Sequence, residues 1–199
     1  MIMDVLPRIL IGIAHNKTLN NHPLPIQAWH KSLRSIVANG EPIVARRDVG
    51  TINVEGELAV IIARDTAGLT VDNAFDYVAG FTIANDVTNV DRNAEDEKIF
   101  QGKGGLGYTP LGPRVVESLP DPEHTSIRVF VNEELRADSG TQKLPSTIAA
   151  SLAYVTAWVP LGPGDVIMTG APGTAVAVRP GDVVRIVVDG IGTLENPVI

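Results

Sequence analysis

Two glutamates one residue apart, Glu55 and Glu57, stand at the mouth of the apolar run 58–63. That run reads as a buried β-strand. Side chains alternate along a strand, so the two carboxylates share one face, about 7 Å apart. Like charges so placed repel unless a cation lies between them, and a hard divalent ion with oxygen ligands answers that need. The bland alternative is a pair of solvated glutamates at a strand end, the usual fate of surface carboxylates. Asp86 shifts the balance: it follows Asn85 at the end of a second apolar run, 78–84, and can add a third oxygen ligand. Three carboxylates leave about three octahedral positions for water or a chelating substrate, which is the layout of a catalytic site.

Lys103 is the next candidate. It sits in Gly102-Lys103-Gly104-Gly105-Leu106-Gly107, a formal G-x-G-x-x-G. No βαβ unit surrounds this stretch, and Thr109-Pro110 stands where a phosphate-binding helix should begin, so a dinucleotide site is rejected. What remains is a backbone that can approach a ligand closely and an ammonium able to neutralise a carboxylate or an enolate. An exposed lysine is the plain alternative. Serine-hydrolase chemistry lacks a G-x-S-x-G, and His15, His22, His30 and His124 are not spaced as metal pairs.

The elements that must position these groups are mostly strands. Residues 8–14 read as a first buried strand ending at His15, followed by a polar loop, 18–25, able to act as a lid. Ile26, Trp29, Leu33, Ile36 and Val37 fall at helical spacing before Gly40. Residues 51–63 form the acidic strand. Asp72 can cap a short helix over 73–77, and 78–84 is another strand. Residues 91–110 read as irregular. A hairpin is expected around Asn132-Glu133, and Ser146 can cap a helix with Ile148, Leu152, Val155 and Val159 on its apolar face. Pro163-Gly164-Asp165-Val166 and Pro180-Gly181-Asp182-Val183 are two copies of one turn feeding a β-branched strand, read as structural. The balance predicts a mainly β protein with a few short helices.

Composition narrows the class. The 199 residues suffice for one domain, expected over 1–199, and no linker divides them. Hydrophobic content of 44% with 20% charged residues fits a globular chain. The net charge of −7, with no basic cluster beyond Arg46-Arg47, argues against nucleic acid and anionic membrane as partners. The absence of cysteine removes disulfides, thiolate chemistry and sulfur-ligated metals. No apolar run approaches the ~20 residues that span a bilayer and the first residues lack a leader pattern, so a cytoplasmic location is the expectation.

Taken in order, several short stretches resemble the fumarylacetoacetate hydrolase family over roughly residues 8–199. They are Ile11-Gly12, Glu55-Gly56-Glu57-Leu58-Ala59, Val78-Ala79-Gly80-Phe81-Thr82 with Asn85-Asp86, and Lys103-Gly104 leading to Pro110-Leu111-Gly112-Pro113. Asn132-Glu133-Glu134-Leu135, Pro163-Gly164-Asp165-Val166-Ile167-Met168-Thr169-Gly170, Gly181-Asp182 and the closing 190–196 complete the series. The resemblance implies the mixed β-sandwich/β-roll of that family's C-terminal domain. It implies Mg²⁺ or Mn²⁺ on Glu55, Glu57 and Asp86, the family lysine at Lys103, and substrate contacts at Thr169 and Gly170. It also implies a homodimer or a pair with a homologous subunit, and extended backbone over 29–43 against the helical spacing noted above. Family substrates are small anionic oxo- or hydroxy-acids that pass through an enolate, which suits a Lewis acid and a lysine.

Three departures refine the expectation. Many relatives carry a His–Glu pair after the first strand that acts on water; the aligned positions here hold Thr18 and Asn21. An arginine expected after Asn85-Asp86 falls on Val90, with Arg92 two residues on, and the threonine of a T-G-T-P motif falls on Ala171. Without the pair, hydrolysis loses ground to proton transfer within a dienol, which needs one placed acid/base; His15 is the candidate. The pattern is most similar to the isomerase/decarboxylase branch of homoprotocatechuate breakdown, acting on 2-hydroxyhepta-2,4-diene-1,7-dioate or 5-oxopent-3-ene-1,2,5-tricarboxylate. An acylpyruvate or fumarylpyruvate-type hydrolase is the second reading, and a non-catalytic subunit supporting an active homologue the third.

Overall fold

The computed structural model describes residues 7–15, 26–46, 48, 50–96 and 99–199. Its strands are β1 (Leu10–His15), β2 (Ile26–His30), β3 (Ile36–Val37), β4 (Ile52–Ile62), β5 (Val78–Asn85), β6 (Thr88–Asn89) and β7 (Thr109–Val116). After them come β8 (Ser126–Val131), β9 (Glu134–Gly140), β10 (Val166–Met168), β11 (Ala175–Val178), β12 (Val183–Val188) and β13 (Gly192–Pro197). The helices α1 (Val90–Glu95), α2 (Phe100–Lys103) and α3 (Ile148–Thr156) are short, so the fold is mainly β. No helix of the described residues is long and apolar enough to cross a membrane.

The larger sheet runs β2-β1-β10-β4-β5-β7-β3, with β11 and β6 pairing the first half of β4; the smaller runs β13-β12-β8-β9. Alternation along β4 divides its side chains. Val54, Leu58, Val60 and Ile62 enter a main core shared with Ile127, Val129 and Ile186 of the smaller sheet and Ile148 and Leu152 of α3. Ala59 and Ile61 face the other way, into a small cluster with Leu10, Ala84, Val166 and Met168. Glu55 and Glu57 continue that second face. Between them Gly56 turns to the main core, where a Cβ would lie 3.0 Å from methyls of Ile186 and Val129. The sheets close on each other there only because the residue is glycine.

Several expectations are corrected. Residues 26–37 are not a helix: Ile26–His30 and Ile36–Val37 are strands flanking one 3₁₀ turn at Leu33–Ser35. Pairing of β2 with β1 supersedes the helical spacing, as the extended expectation required. The helix after Asp72 is a 3₁₀ segment, Val71–Tyr77, with Thr70 at its N-cap. Thr147 and not Ser146 caps α3, its hydroxyl accepting from Ala150 N–H at 3.1 Å. Residues 91–110 hold α1, α2 and the start of β7 instead of irregular chain. The hairpin stands where expected, with Asn132 and Glu133 at φ 50° and 69°, the left-handed pair of a tight turn. The two Pro-Gly-Asp copies share one mechanism. Asp165 accepts from Gly162 N–H and Ile9 N–H, both at 2.8 Å; Asp182 accepts from Arg179 N–H at 2.9 Å and from Asn132 Nδ2 at 2.7 Å.

Candidate active site

The site lies where β4 changes partners. Glu55 pairs with Ala175 of β11, whereas Gly56 pairs with Asn85 at the end of β5. Asn85 secures the junction: its Oδ1 accepts from Glu55 N–H at 3.0 Å, and Asp86 N–H donates to Glu55 O at 2.9 Å. One carboxylate oxygen from each of Glu55, Glu57 and Asp86 falls within 4.8 Å of the others. Glu57 is 1% exposed and the Glu55 side chain 18%, so the solvated-pair alternative does not describe the two glutamates; Asp86 is likewise 1% exposed.

Two lysines face the carboxylates. Lys103 is buried at the end of α2, with Nζ 2.8 Å from Glu55 Oε2, 2.6 Å from Asp86 Oδ2 and 2.6 Å from Thr88 Oγ1. Thr88 Oγ1 lies 3.0 Å from Glu55 Oε1. The plain alternative of an exposed lysine does not hold for Lys103, and three acceptors offset its desolvation. Lys31, just beyond β2, has a fully buried side chain that donates to Asp86 Oδ1 and, at 3.0 Å, to Tyr108 O. Sequence reasoning missed Lys31. The available signal was a lysine beside Trp29 in a segment that pairs with a core strand.

Electrostatics separate the three acids. Burial pushes the Glu57 carboxyl well above the usual carboxylate range, and Asp86 and Glu55 add to the rise. Burial also raises Glu55, against the nearby Lys103. Burial acts to raise Asp86 too, but the Lys31 and Lys103 ammonium groups outweigh it and hold Asp86 low. Burial disfavours the charge on Lys103, yet Asp86 and Glu55 hold it protonated beyond the ordinary lysine range. Burial draws Lys31 down, against Asp86.

The remaining expected residues are placed as follows. Gly170 N–H donates to Glu57 Oε2 at 2.8 Å, orienting that carboxylate. Thr169 is 1% exposed, and its hydroxyl donates to Leu58 O at 2.8 Å. His15 ends β1, but its side chain lies outside the described residues, as do Thr18, Asn21 and the 18–25 loop. Trp29 covers the sheet face beside the acids: Gly12 lies under its indole, and the Lys103 ammonium is 5.4 Å from the ring centroid. Arg92 lines a cleft of about 560 Å³ beside α2, with Arg34, Arg46, Phe100 and Gln101.

An all-oxygen, buried carboxylate set of this kind fits a hard divalent cation. The elevated Glu57 points the same way, because a buried acid crowded by two others gains most from a dication.

Comparison with known proteins extends these observations. The family model for the fumarylacetoacetate (FAA) hydrolase C-terminal domain matches residues 12–199. Protein Rv2993c of Mycobacterium tuberculosis is 34% identical over 167 residues, covering 83% of this chain and 63% of its own. A Staphylococcus aureus protein is 32% identical over 192 residues, covering 92% and 64%. The chain thus spans less than two thirds of these curated relatives. A 5-carboxymethyl-2-hydroxymuconate delta-isomerase from Mycobacterium smegmatis superposes with TM-score 0.90 at 33% identity, over 98% of this chain and 80% of its own. A 2-hydroxyhepta-2,4-diene-1,7-dioate isomerase from Mycobacterium marinum gives 0.90 at 30%, over 98% and 75%. A fumarylacetoacetate hydrolase from Exiguobacterium antarcticum gives 0.87 at 33%, over 97% and 76%.

Proposed function

Since the chain belongs to the fumarylacetoacetate hydrolase family, we propose that it is a divalent-metal-dependent isomerase or decarboxylase of 2-hydroxy-dienedioate or 2-oxo dicarboxylic acids. The observation that carries this reading is the buried Glu55, Glu57 and Asp86 cluster with an ammonium against two of its members. Mg²⁺ or Mn²⁺ held by these three residues would supply Lewis acidity to the adjacent oxygens of an oxo-acid. Lys103 stabilises the negative charge that develops on the enolate oxygen, in a site dry enough to make that charge–charge interaction strong. Gly170 N–H and Lys31 orient Glu57 and Asp86 from behind. Keto–enol conversion moves one proton from the hydroxyl oxygen to a carbon, and His15 is the proposed acid/base. The cleft beside α2 is lined by Gly104, next to Lys103, and by Arg34 and Arg92, the latter paired with Glu95 at 3.2 Å; these guanidiniums are the proposed contacts for a second carboxylate. A homodimer, or a pair with a homologous subunit, is the proposed assembly.

A second reading, C–C hydrolysis of an acylpyruvate or fumarylpyruvate, is favoured by the 33% identity to a fumarylacetoacetate hydrolase. It is disfavoured by Thr18 and Asn21 at the positions of the water-activating pair. Ultraviolet absorbance of 2-hydroxyhepta-2,4-diene-1,7-dioate tests the first reading, with protein and Mg²⁺ or EDTA against the spontaneous rate. Loss of the dienol accelerated by the protein and stopped by EDTA is expected. No acceleration here or with a β-keto tricarboxylate, together with cleavage of acylpyruvates, would establish the hydrolase instead.

A further inference from the structure

The two site lysines are built differently. Lys31 is walled in: its side chain is wholly buried, and its second acceptor, Tyr108 O, also accepts from Val87 N–H at 3.2 Å, next to Asp86. The Tyr108 hydroxyl is in turn bonded to Asn89. This ammonium is locked to Asp86 Oδ1 and to the backbone that carries Asp86. Lys103 instead sits at the end of a four-residue helix, followed by Gly104 and Gly105. Its Nζ takes lone pairs of Glu55 and Asp86, two of the three acids that converge, with the Trp29 ring 5.4 Å away. A divalent ion drawn to these acids would compete with the Lys103 ammonium for carboxylate oxygens of Glu55 and Asp86.

We propose that Lys103 is an exchangeable placeholder: its ammonium occupies the cation position between Glu55 and Asp86 and is displaced toward the substrate side when a divalent ion enters, while Lys31 stays as the fixed counter-charge. The inference rests on the metal-site reading above and adds an order to it. Entry of the ion releases the lysine that the enolate needs, so charge for the substrate appears only after the ion is in place. The Trp29 ring, already 5.4 Å from this ammonium, would remain in cation–π range of it as it leaves the carboxylates and would report the movement.

Calorimetric titration of the full chain with MgCl₂ tests the exchange. Lys103→Met removes both the competitor and a like charge, so Mg²⁺ should bind at least tenfold more tightly than to the wild type. Lys103→Arg replaces the point charge with a planar fork that grips carboxylates in pairs, so Mg²⁺ should bind more weakly. Mg²⁺ affinity within twofold of wild type in both variants, or weakened by Met, overturns the proposal; because a lysine that stays beside the ion would also yield tighter binding on loss of its charge, the exchange itself is read from the tryptophan signal. A second readout needs no Lys103 substitution to fold well. In a Trp158→Phe background Trp29 is the sole tryptophan, and Mg²⁺ should change its emission saturably at the calorimetric affinity. Unchanged emission while Mg²⁺ binds overturns the exchange and leaves the metal site standing. Absence of any Mg²⁺ or Mn²⁺ binding by the wild type overturns the metal site itself.

Discussion

Glu57→Gln exposes the energetics of the site in two opposite directions. Glu57 is 1% exposed and carries a carboxyl held well above its ordinary range by burial, Asp86 and Glu55. A group whose folded value is raised binds a proton more tightly folded than unfolded. Its penalty is absent below the unfolded value, near pH 4.3, and grows as pH rises toward the folded value. Within that window stability falls by about 1.4 kcal/mol per pH unit for this one group. Glutamine is isosteric, and its amide oxygen can still accept from Gly170 N–H. In EDTA, the variant should therefore match the wild type at acidic pH and become the more stable of the two as pH rises. With Mg²⁺ the order reverses. Losing one ligand charge at an effective dielectric near 20 is worth several kcal/mol, so affinity should fall on the order of 100-fold or more. Ligand stabilisation, RT ln(1 + [L]/Kd), then disappears at millimolar Mg²⁺. Urea unfolding at pH 4.5, 6 and 8, with EDTA and with Mg²⁺, measures both effects. A stability difference independent of pH, or Mg²⁺ stabilisation equal to wild type, would refute the reasoning.

The remaining predictions concern Trp29 and the cleft beside α2. Gly12→Ala places a Cβ about 2.7 Å from the Trp29 ring, so it should destabilise by about 1–3 kcal/mol through overpacking. Adding Trp29→Leu should recover most of that loss, which a double-mutant cycle by thermal unfolding would detect. Arg92→Ala removes a guanidinium from the cleft beside α2. It should raise KM for a dicarboxylic acid about tenfold or more with little change in kcat, and leave a monocarboxylic analogue unaffected; steady-state kinetics on the pair decides.

How far the sequence discloses the site depends on how local each cause is. Glu55 and Glu57 were legible because strand alternation fixes their common face from spacing alone, and Asp86 because a strand end delivers it. The helical spacing of Ile26, Trp29 and Leu33 misled because pairing of β2 with β1 is a tertiary effect with no trace in a single segment. Lys31 was illegible for the same reason: its partners Asp86 and Tyr108 lie 55 and 77 residues away. The capping of α3 missed by one residue because Ser146 and Thr147 are chemically equivalent caps, and only the backbone chooses between them.

The charge inventory explains why the site needs two lysines. Glu57, the acid that burial and its two neighbours push up most, has no lysine of its own, whereas Asp86 faces both Lys31 and Lys103 and Glu55 faces Lys103. On the proposed metal-site reading, a dication and the two lysines would set four positive charges against three carboxylates, a single surplus that a substrate carboxylate would neutralise. Without Lys31 the same loaded cluster would be neutral and would have no preference for an anion; without Lys103 no charge would remain for the enolate. In a chain of net charge −7, such a local surplus would offset the long-range repulsion of the acid substrate that the proposed function requires.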